Sequence, residues 1–285
     1  MRNTQEKLMV PPVPIEKLFD INRFTTKLSI ANILLLVMYI PLGILIVVIR
    51  ICLLFIWGII FLMMPSTKQF KQIFCKGAAA IIGILYKFNN EYHISSLATP
   101  PRFVVSNHSY TFEFIAFITR YWCLLTARKS VLDHWLLART AILVDIVVVN
   151  NLKSQYTDVA KTPYPIFVFP EGATTNGRVG LLKYNPLIFS YGESILPIAT
   201  KISRPLPIAF CTLHFSLITD FLWLLYSPWT LFEYTILPVQ KILPGESPEE
   251  FAKRVQVITA DTLRLIATDF TAEDKKKLRE IDLNK

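Results

Sequence analysis

The chain has 285 residues, enough for one large domain or one domain with an anchor. With 53% hydrophobic residues and a mean hydropathy of +0.43, it is too apolar for an ordinary soluble domain, so part of its surface faces lipid. A net charge of +9 on such a chain suits an anionic membrane surface, and no nucleic-acid motif accompanies it. Cys52, Cys75, Cys123 and Cys211 are widely spaced with no Cys-x-x-Cys pair, which excludes a disulfide framework and a zinc site and fits a reducing, cytosol-facing location.

Residues 1–27 read as a polar, cytosolic lead with prolines at Pro11, Pro12 and Pro14. From Ile33 to Met64 the only charge is Arg50. As a straight helix that run would be about 48 Å long, against about 30 Å of bilayer hydrocarbon. Pro41 and Gly43 mark a bend, because proline removes a helix hydrogen bond and glycine relaxes the backbone. Lys17, Arg23 and Lys27 precede the run; Arg50, Lys68, Lys71 and Lys76 close it or follow it. Two basic flanks predict a membrane hairpin over 28–64 with both termini cytosolic; a single kinked span is the alternative.

Residues 65–99 carry Phe70, Ile73, Phe74, Ala78, Ile81 and Leu85 at helical spacing, predicting an amphipathic membrane-proximal helix. Pro100 and Pro101 then open a domain over 100–270. It reads as short apolar strands at 102–106, 142–149, 165–169, 195–199 and 206–211. The first is followed by a helix over 112–125. This order predicts an α/β fold with a mixed, largely buried sheet. Aromatic residues crowd 221–237, either as core or as an interfacial belt. Ser247-Pro248-Glu249-Glu250 opens a late helix with a capping box, and 271–285 reads as a charged, fraying tail whose Lys275-Lys276-Lys277 run is solvated.

Two polar turns carry the chemistry. The first strand ends at Asn107-His108, with Glu113 five positions on. A histidine held in one tautomer by a carboxylate is a general-base arrangement. The second turn is Pro170-Glu171-Gly172-Ala173-Thr174-Thr175-Asn176-Gly177 after the 165–169 strand. Glu171, Thr175 and Asn176 offer donors and acceptors to a polar head group, Gly172 permits close backbone approach, and Lys183 follows within reach of a phosphate. Asn107, Glu171, Gly172, Thr175, Asn176 and Lys183 are therefore the substrate-binding candidates, with His108 and Glu113 the catalytic ones. His93, His134 and His214 are isolated, so no metal site and no bound cofactor are expected.

Asn107-His108 with Glu113, then Phe169-Pro170-Glu171-Gly172, then Ile195-Leu196-Pro197-Ile198, resemble the ordered motifs of the glycerolipid acyltransferases. Ile15 to Asp20, Tyr39-x-Pro41-x-Gly43, Ala173-Thr174-x-Asn176-Gly177-Arg178-x-Gly180-Leu181-Leu182 and Glu250-Phe251-Ala252-x-Arg254-Val255-Gln256 are more closely similar to the ancient ubiquitous protein family. The first resemblance implies acyl-CoA as substrate, a lysolipid hydroxyl as acceptor, His108 as base, and Glu171 and Gly172 at the glycerol phosphate. The second implies a monotopic protein of the endoplasmic reticulum membrane and lipid-droplet surface. Its expected partners are membrane lipids and degradation-machinery proteins. The chain departs from the first pattern in having Glu113 for Asp and Asn150-Asn151 where an arginine is usual. The extra methylene of Glu113 is expected to shift its carboxylate by about 1 Å. Relative to the second family it reads as a short form without the C-terminal ubiquitin-binding region. Two readings stay open: a lipid-droplet protein with an acyltransferase-like domain, or a working acyl-CoA:lysophospholipid acyltransferase.

Overall fold

The computed structural model describes residues 13–24, 28–63, 67–97, 101–127, 146–148, 164–214 and 216–283. The expected strand at 142–149 falls on β4 (Ile146–Val148), whose neighbours lie outside the described residues, as do His134, Asn150, Asn151 and Lys153.

A seven-stranded sheet is the centre of the domain. Besides β4 it contains β1 (Ile84–Asn89), β2 (Phe103–Ser106), β3 (Leu124–Ala127), β5 (Ile166–Val168), β7 (Ile195–Ser203) and β8 (Thr230–Ile236), in the order β1-β8-β7-β2-β5-β3-β4. Among the described residues of this sheet only β7 and β8 pair antiparallel, which bears out the mixed α/β sheet. A small second sheet joins β6 (Gly180–Leu181) to β9 (Ile266–Ala267). Successive side chains of a strand point to opposite faces, and both faces here are covered. Val104, Phe167 and Leu196 face one core with Phe117 and Tyr234, while Phe103, Val105 and Ile166 face another with Phe251 and Val255. The helix carrying Phe117 is α4 (Glu113–Arg120); Phe251 and Val255 lie on α6 (Pro248–Leu263). The predicted capping box of α6 is formed: Ser247 Oγ accepts from the Glu250 amide, and Glu250 accepts from the Ser247 amide.

Several elements differ from expectation. The stretch 65–99 is α2 (Lys68–Ile82), the edge strand β1 and a short helix α3 (Tyr92–Ser95), because Gly83 turns left-handed and ends α2. The helix expected over 112–125 stops at Arg120, and its last residues begin β3. Residues 206–211 are not a strand; Pro205 and Pro207 cannot donate to a ladder, and one bridge joins Ile208 to Phe24. The aromatic stretch divides between α5 (Leu217–Tyr226) and β8: Phe232 and Tyr234 are core, while Trp229 and Leu222 reach the surface. The tail forms α7 (Ala272–Leu283), docked on the domain with Lys275 buried.

The apolar run forms helix α1 (Ile30–Leu62), unbroken, with Pro41 inside it. The chain does not leave the helix at Pro41 and Gly43, so the run expected as two hairpin arms is one continuous helix of 33 residues, about 50 Å along its axis. One stripe along it, residues 39, 43, 47, 50, 54, 57 and 61, repeats every three or four positions and faces the domain. Tyr39 Oη donates to the Tyr226 carbonyl at 2.8 Å. Gly43 serves close approach and not flexibility, since a Cβ there would lie 2.3 Å from the Tyr226 ring. Arg50, read above as part of a basic flank, is buried, and its guanidinium donates to the carbonyls of Leu225, Ser227 and Pro228 at 2.6, 2.5 and 2.7 Å. It thereby satisfies carbonyls at the C-terminal end of α5, where a cation is favoured. Further along, Trp57 and Phe61 pack on Phe74 of α2. Pro41 sits on the exposed side, so the hydrogen bond it removes disturbs no contact with the domain.

Candidate functional site

Strands β2 and β5 are parallel neighbours, so their C-terminal ends open side by side and the two polar turns meet. His108 lies at the first turn and is partly exposed, with its ring stacked on Phe169 at 4.0 Å. Its Nδ1 is 2.6 Å from Glu113 Oε1, and Glu113 is fully buried. The other oxygen, Glu113 Oε2, accepts from the Ser109 amide at 3.3 Å. Glu113 starts α4, and from there its side chain reaches and closes the pair with His108. Burial pushes the Glu113 carboxyl well above the usual carboxylate range. The Ser109 amide opposes that shift, and the negative charge of Glu171 reinforces it.

Glu171 has a different role from the one expected. It is buried, its Oε1 accepts from the His108 amide at 2.6 Å, and its Oε2 accepts from the Leu182 amide at 2.7 Å. Both oxygens are occupied by backbone, so Glu171 clips the His108 turn to β6 and leaves no face for a ligand. Burial pushes its carboxyl up to about 8, against the pull of those two amides and of Lys275.

The other turn residues are also internal struts. Asn107 is buried, accepting from the Thr200 amide at 2.7 Å and donating to the Thr200 carbonyl at 2.9 Å, which locks the end of β2 to β7. The Thr175 amide donates to the His108 carbonyl at 2.8 Å, and its Oγ1 accepts from the Gly177 amide at 3.3 Å. Asn176 donates to the Lys17 carbonyl at 2.8 Å, its amide donates to Leu18, and its Oδ1 accepts from the Arg178 amide. The Ala173–Asn176 turn is thus bound to the N-terminal segment, where Leu18 is fully buried. Gly177 adopts φ +65, and a Cβ there would sit 2.7 Å from Ser109 Oγ. Gly172 is likewise left-handed, at φ +66. Lys183 is exposed, and its amide donates to Phe270 at 2.7 Å.

The residues that converge at the mouth are therefore His108, Glu113 and Phe169. Asn107, Glu171, Thr175 and Asn176 form the scaffold behind them. Sequence reasoning missed Lys275, whose Nζ donates to the Thr174 carbonyl at 2.7 Å and to Thr174 Oγ1 at 2.9 Å and so braces the second turn from α7. The apolar spacing of Phe270 and Leu278 on either side of it was the available signal, since both pack against the cluster that holds Leu18, Phe19, Leu182 and Leu213. Among the described residues no three His, Cys, Asp or Glu side chains gather in a metal-binding group.

A parallel-rich sheet with a His-x4-acid pair at one strand end and a Pro-Glu-Gly turn at the next defines an acyltransferase-type α/β domain. The fold is that of the 1-acyl-sn-glycerophosphate acyltransferase PlsC from Thermotoga maritima: TM-score 0.53, 15% identity, covering 82% of this chain and 97% of that one. In sequence, the chain is similar to the lipid droplet-regulating VLDL assembly factor AUP1, 29% identical to the mouse (Mus musculus) protein over 272 residues. That alignment takes in 93% of this chain and 64% of the mouse protein, so the chain spans less than two thirds of that relative's length. A shorter match, 34% over 126 residues, joins 43% of the chain to 24% of the lysophospholipid acyltransferase LPCAT4 of Xenopus tropicalis. No family model matches. These likenesses bear out the resemblance read from the motifs.

Proposed function

We propose that the protein works on the surface of lipid droplets and of the endoplasmic reticulum membrane. In this reading its acyltransferase-like domain is held against lipid by α1 and serves droplet formation. The observation that carries this is the placement of α1. One stripe of the helix is committed to the domain along about 33 Å, from Tyr39 to Phe61. The opposite side exposes Ile40, Ile44, Val48, Ile51 and Phe55. A helix fixed lengthwise to a domain does not cross a bilayer without taking the domain with it. Lying in the plane, it covers its outer face with acyl chains, and a droplet's single phospholipid layer suffices for that. The exposed Ile218 and Leu222 of α5 and Ile73 of α2 extend the same apolar face. Both termini then remain on the cytosolic side. Contact with degradation-machinery proteins belongs to the same proposal and rests on the family resemblance.

The test is flotation of the full chain with artificial triacylglycerol droplets coated in phosphatidylcholine. The expected result is recovery with the droplets after a high-salt wash. Recovery in the aqueous fraction would sink the reading.

The closed His108–Glu113 pair favours a second reading, acyl transfer from acyl-CoA to a lysophospholipid hydroxyl. With Nδ1–H donated to Glu113, Nε2 of the ring accepts the hydroxyl proton as that oxygen attacks the thioester carbonyl. The carbon–sulfur bond then breaks, and the imidazolium returns the proton to the departing CoA sulfur. Glu113 keeps the ring oriented in between. Labelled acyl-CoA with a panel of lysophospholipids in nanodiscs decides it: transfer lost in His108→Ala makes the chain an enzyme. Equal background in both leaves the droplet role alone.

A further inference from the structure

Phe169 stands one position past the end of β5 and is partly exposed. Its ring lies almost parallel to the His108 imidazole, with 15° between the planes and 4.0 Å between the centroids. A face-on contact of this kind covers the flat of the imidazole and leaves its edge, which carries both nitrogens, clear of the phenyl ring. On that edge Nδ1 meets Glu113 Oε1 at 2.6 Å.

Glu113 and Phe169 reach the imidazole from different elements, and those elements are locked to each other. Glu113 and Phe117 are one turn apart on α4, at the i and i+4 spacing that puts side chains on one helix face. Phe167 and Phe169 are two apart at the end of β5, the spacing that puts side chains on one face of a strand. Phe117 packs on Phe167 with centroids 5.0 Å apart, and Phe167 meets Phe169 edge-on at 5.0 Å. A closed circuit therefore runs from His108 through Glu113, Phe117, Phe167 and Phe169 back to His108. Tyr234 of β8 braces the helix side of it: its ring is edge-on to Phe117 at 5.6 Å, and its hydroxyl donates to the Glu113 carbonyl. Pro170 fixes φ between Phe169 and Glu171, and Glu171 accepts from the His108 amide. Phe169-Pro170-Glu171 thus grips the ring and the backbone of one residue.

We propose that Phe169 is a positioning residue for acyl transfer: its ring sets the plane of the His108 imidazole, so that Nε2 points at the acceptor hydroxyl. The inference rests on the second reading above. One hydrogen bond at Nδ1 leaves the imidazole able to swing about that contact, and a flat surface against its face removes the swing. An aromatic pair of this geometry biases a ring by a factor of roughly two to ten. A base misplaced by about 1 Å loses on the order of 100-fold in rate.

The test is NMR of the full chain in nanodiscs, with histidine labelled at the ring nitrogens and at Cε1. The chain has four histidines, and replacing each in turn by glutamine assigns the signals. In the wild type the His108 ring is ordered and, where neutral, holds one tautomer, protonated at Nδ1. Phe169→Leu keeps an apolar side chain without a π face; the ring loosens, and the minor tautomer grows roughly twofold to tenfold. Phe169→Tyr restores order and tautomer. His214, paired with Asp282 at 2.8 Å, is unchanged in both variants and reports an intact fold. With labelled acyl-CoA and a lysophospholipid, Phe169→Leu lowers kcat on the order of tenfold and leaves KM unchanged. A mobile or mixed-tautomer His108 ring in the wild type overturns the proposal before any variant is made. An ordered ring in Phe169→Leu overturns it too, as does a Phe169→Tyr that behaves like the leucine variant. Turnover with an ordered ring in Phe169→Leu fails the positioning role alone, whereas a wild type without turnover fails the acyl-transfer reading and the role with it.

Discussion

Replacing Glu113 by Asp is the most informative single change. Judged by the resembled acyltransferase pattern, Asp is the usual residue, and the exchange would be expected to help. The structure reverses the sign. The carboxylate retracts by one carbon–carbon bond, about 1.5 Å. The 2.6 Å contact with His108 then opens to roughly 4 Å, beyond any hydrogen bond. A bond to a charged group contributes about 1.5–3 kcal/mol, and the vacated methylene adds about 0.8 kcal/mol. The Ser109 contact to the second oxygen is lost with it. The total is about 2–4 kcal/mol, or a fall in Tm of roughly 5–15 °C for a domain of this size. The rate of acyl transfer, where measurable, drops on the order of 100-fold because the imidazole loses its orientation. Thermal melts in nanodiscs beside the acyl-transfer assay read both. A variant as stable as the wild type, or more active, refutes the reasoning.

Arg50→Leu removes three hydrogen bonds to the end of α5 and leaves their carbonyls unmet. A loss of about 3–5 kcal/mol is expected, together with faster proteolysis near α1, checked by denaturation and limited digestion. Gly43→Leu drives a side chain into the Tyr226 ring and lifts α1 from α5, so a cysteine pair across that contact cross-links less. Glu171 gives a pH signature. Its carboxyl lies at about 8 when folded and near 4.5 when unfolded, so the folded state holds the proton more tightly. Its stabilising contribution is complete below about pH 4.5 and is lost as pH rises to about 8; Glu113 adds in the same direction. Stability should fall across that window, and Glu171→Gln should flatten the slope. Lys275→Met leaves the Thr174 carbonyl without its donor and costs about 1–3 kcal/mol in the same melts.

The sequence made the strand ends and the His108–Glu113 pair legible because those signals are local. An apolar run that stops at Asn107-His108 has few readings, and Ser247 to Glu250 had only to reach its own first turn. What stayed hidden depends on distant partners. Glu171 looks like a ligand group until Leu182 and His108 are seen to occupy it, and Asn176 until Lys17 does. A polar side chain in a glycine-rich turn carries no mark of whether its acceptor is a substrate or a backbone many residues away. Strand β1 was missed because it shows no period-two alternation, with Leu85 and Tyr86 both exposed, and Leu85 was read within a helical window. In α1, the proline suggested a break, yet the residues that decide the matter, Tyr226 and the carbonyls capped by Arg50, belong to an element more than 170 positions away.

The burial of Lys275 makes α7 report on itself. Lys276 and Lys277 beside it are exposed, so three consecutive amines share one helix and differ only in access. An amine-reactive label should mark the latter two at once and reach Lys275 only when the helix lifts from the Thr174 turn. The labelling ratio within one short peptide then becomes an internal clock for opening behind His108, corrected for concentration and reagent decay by its own neighbours.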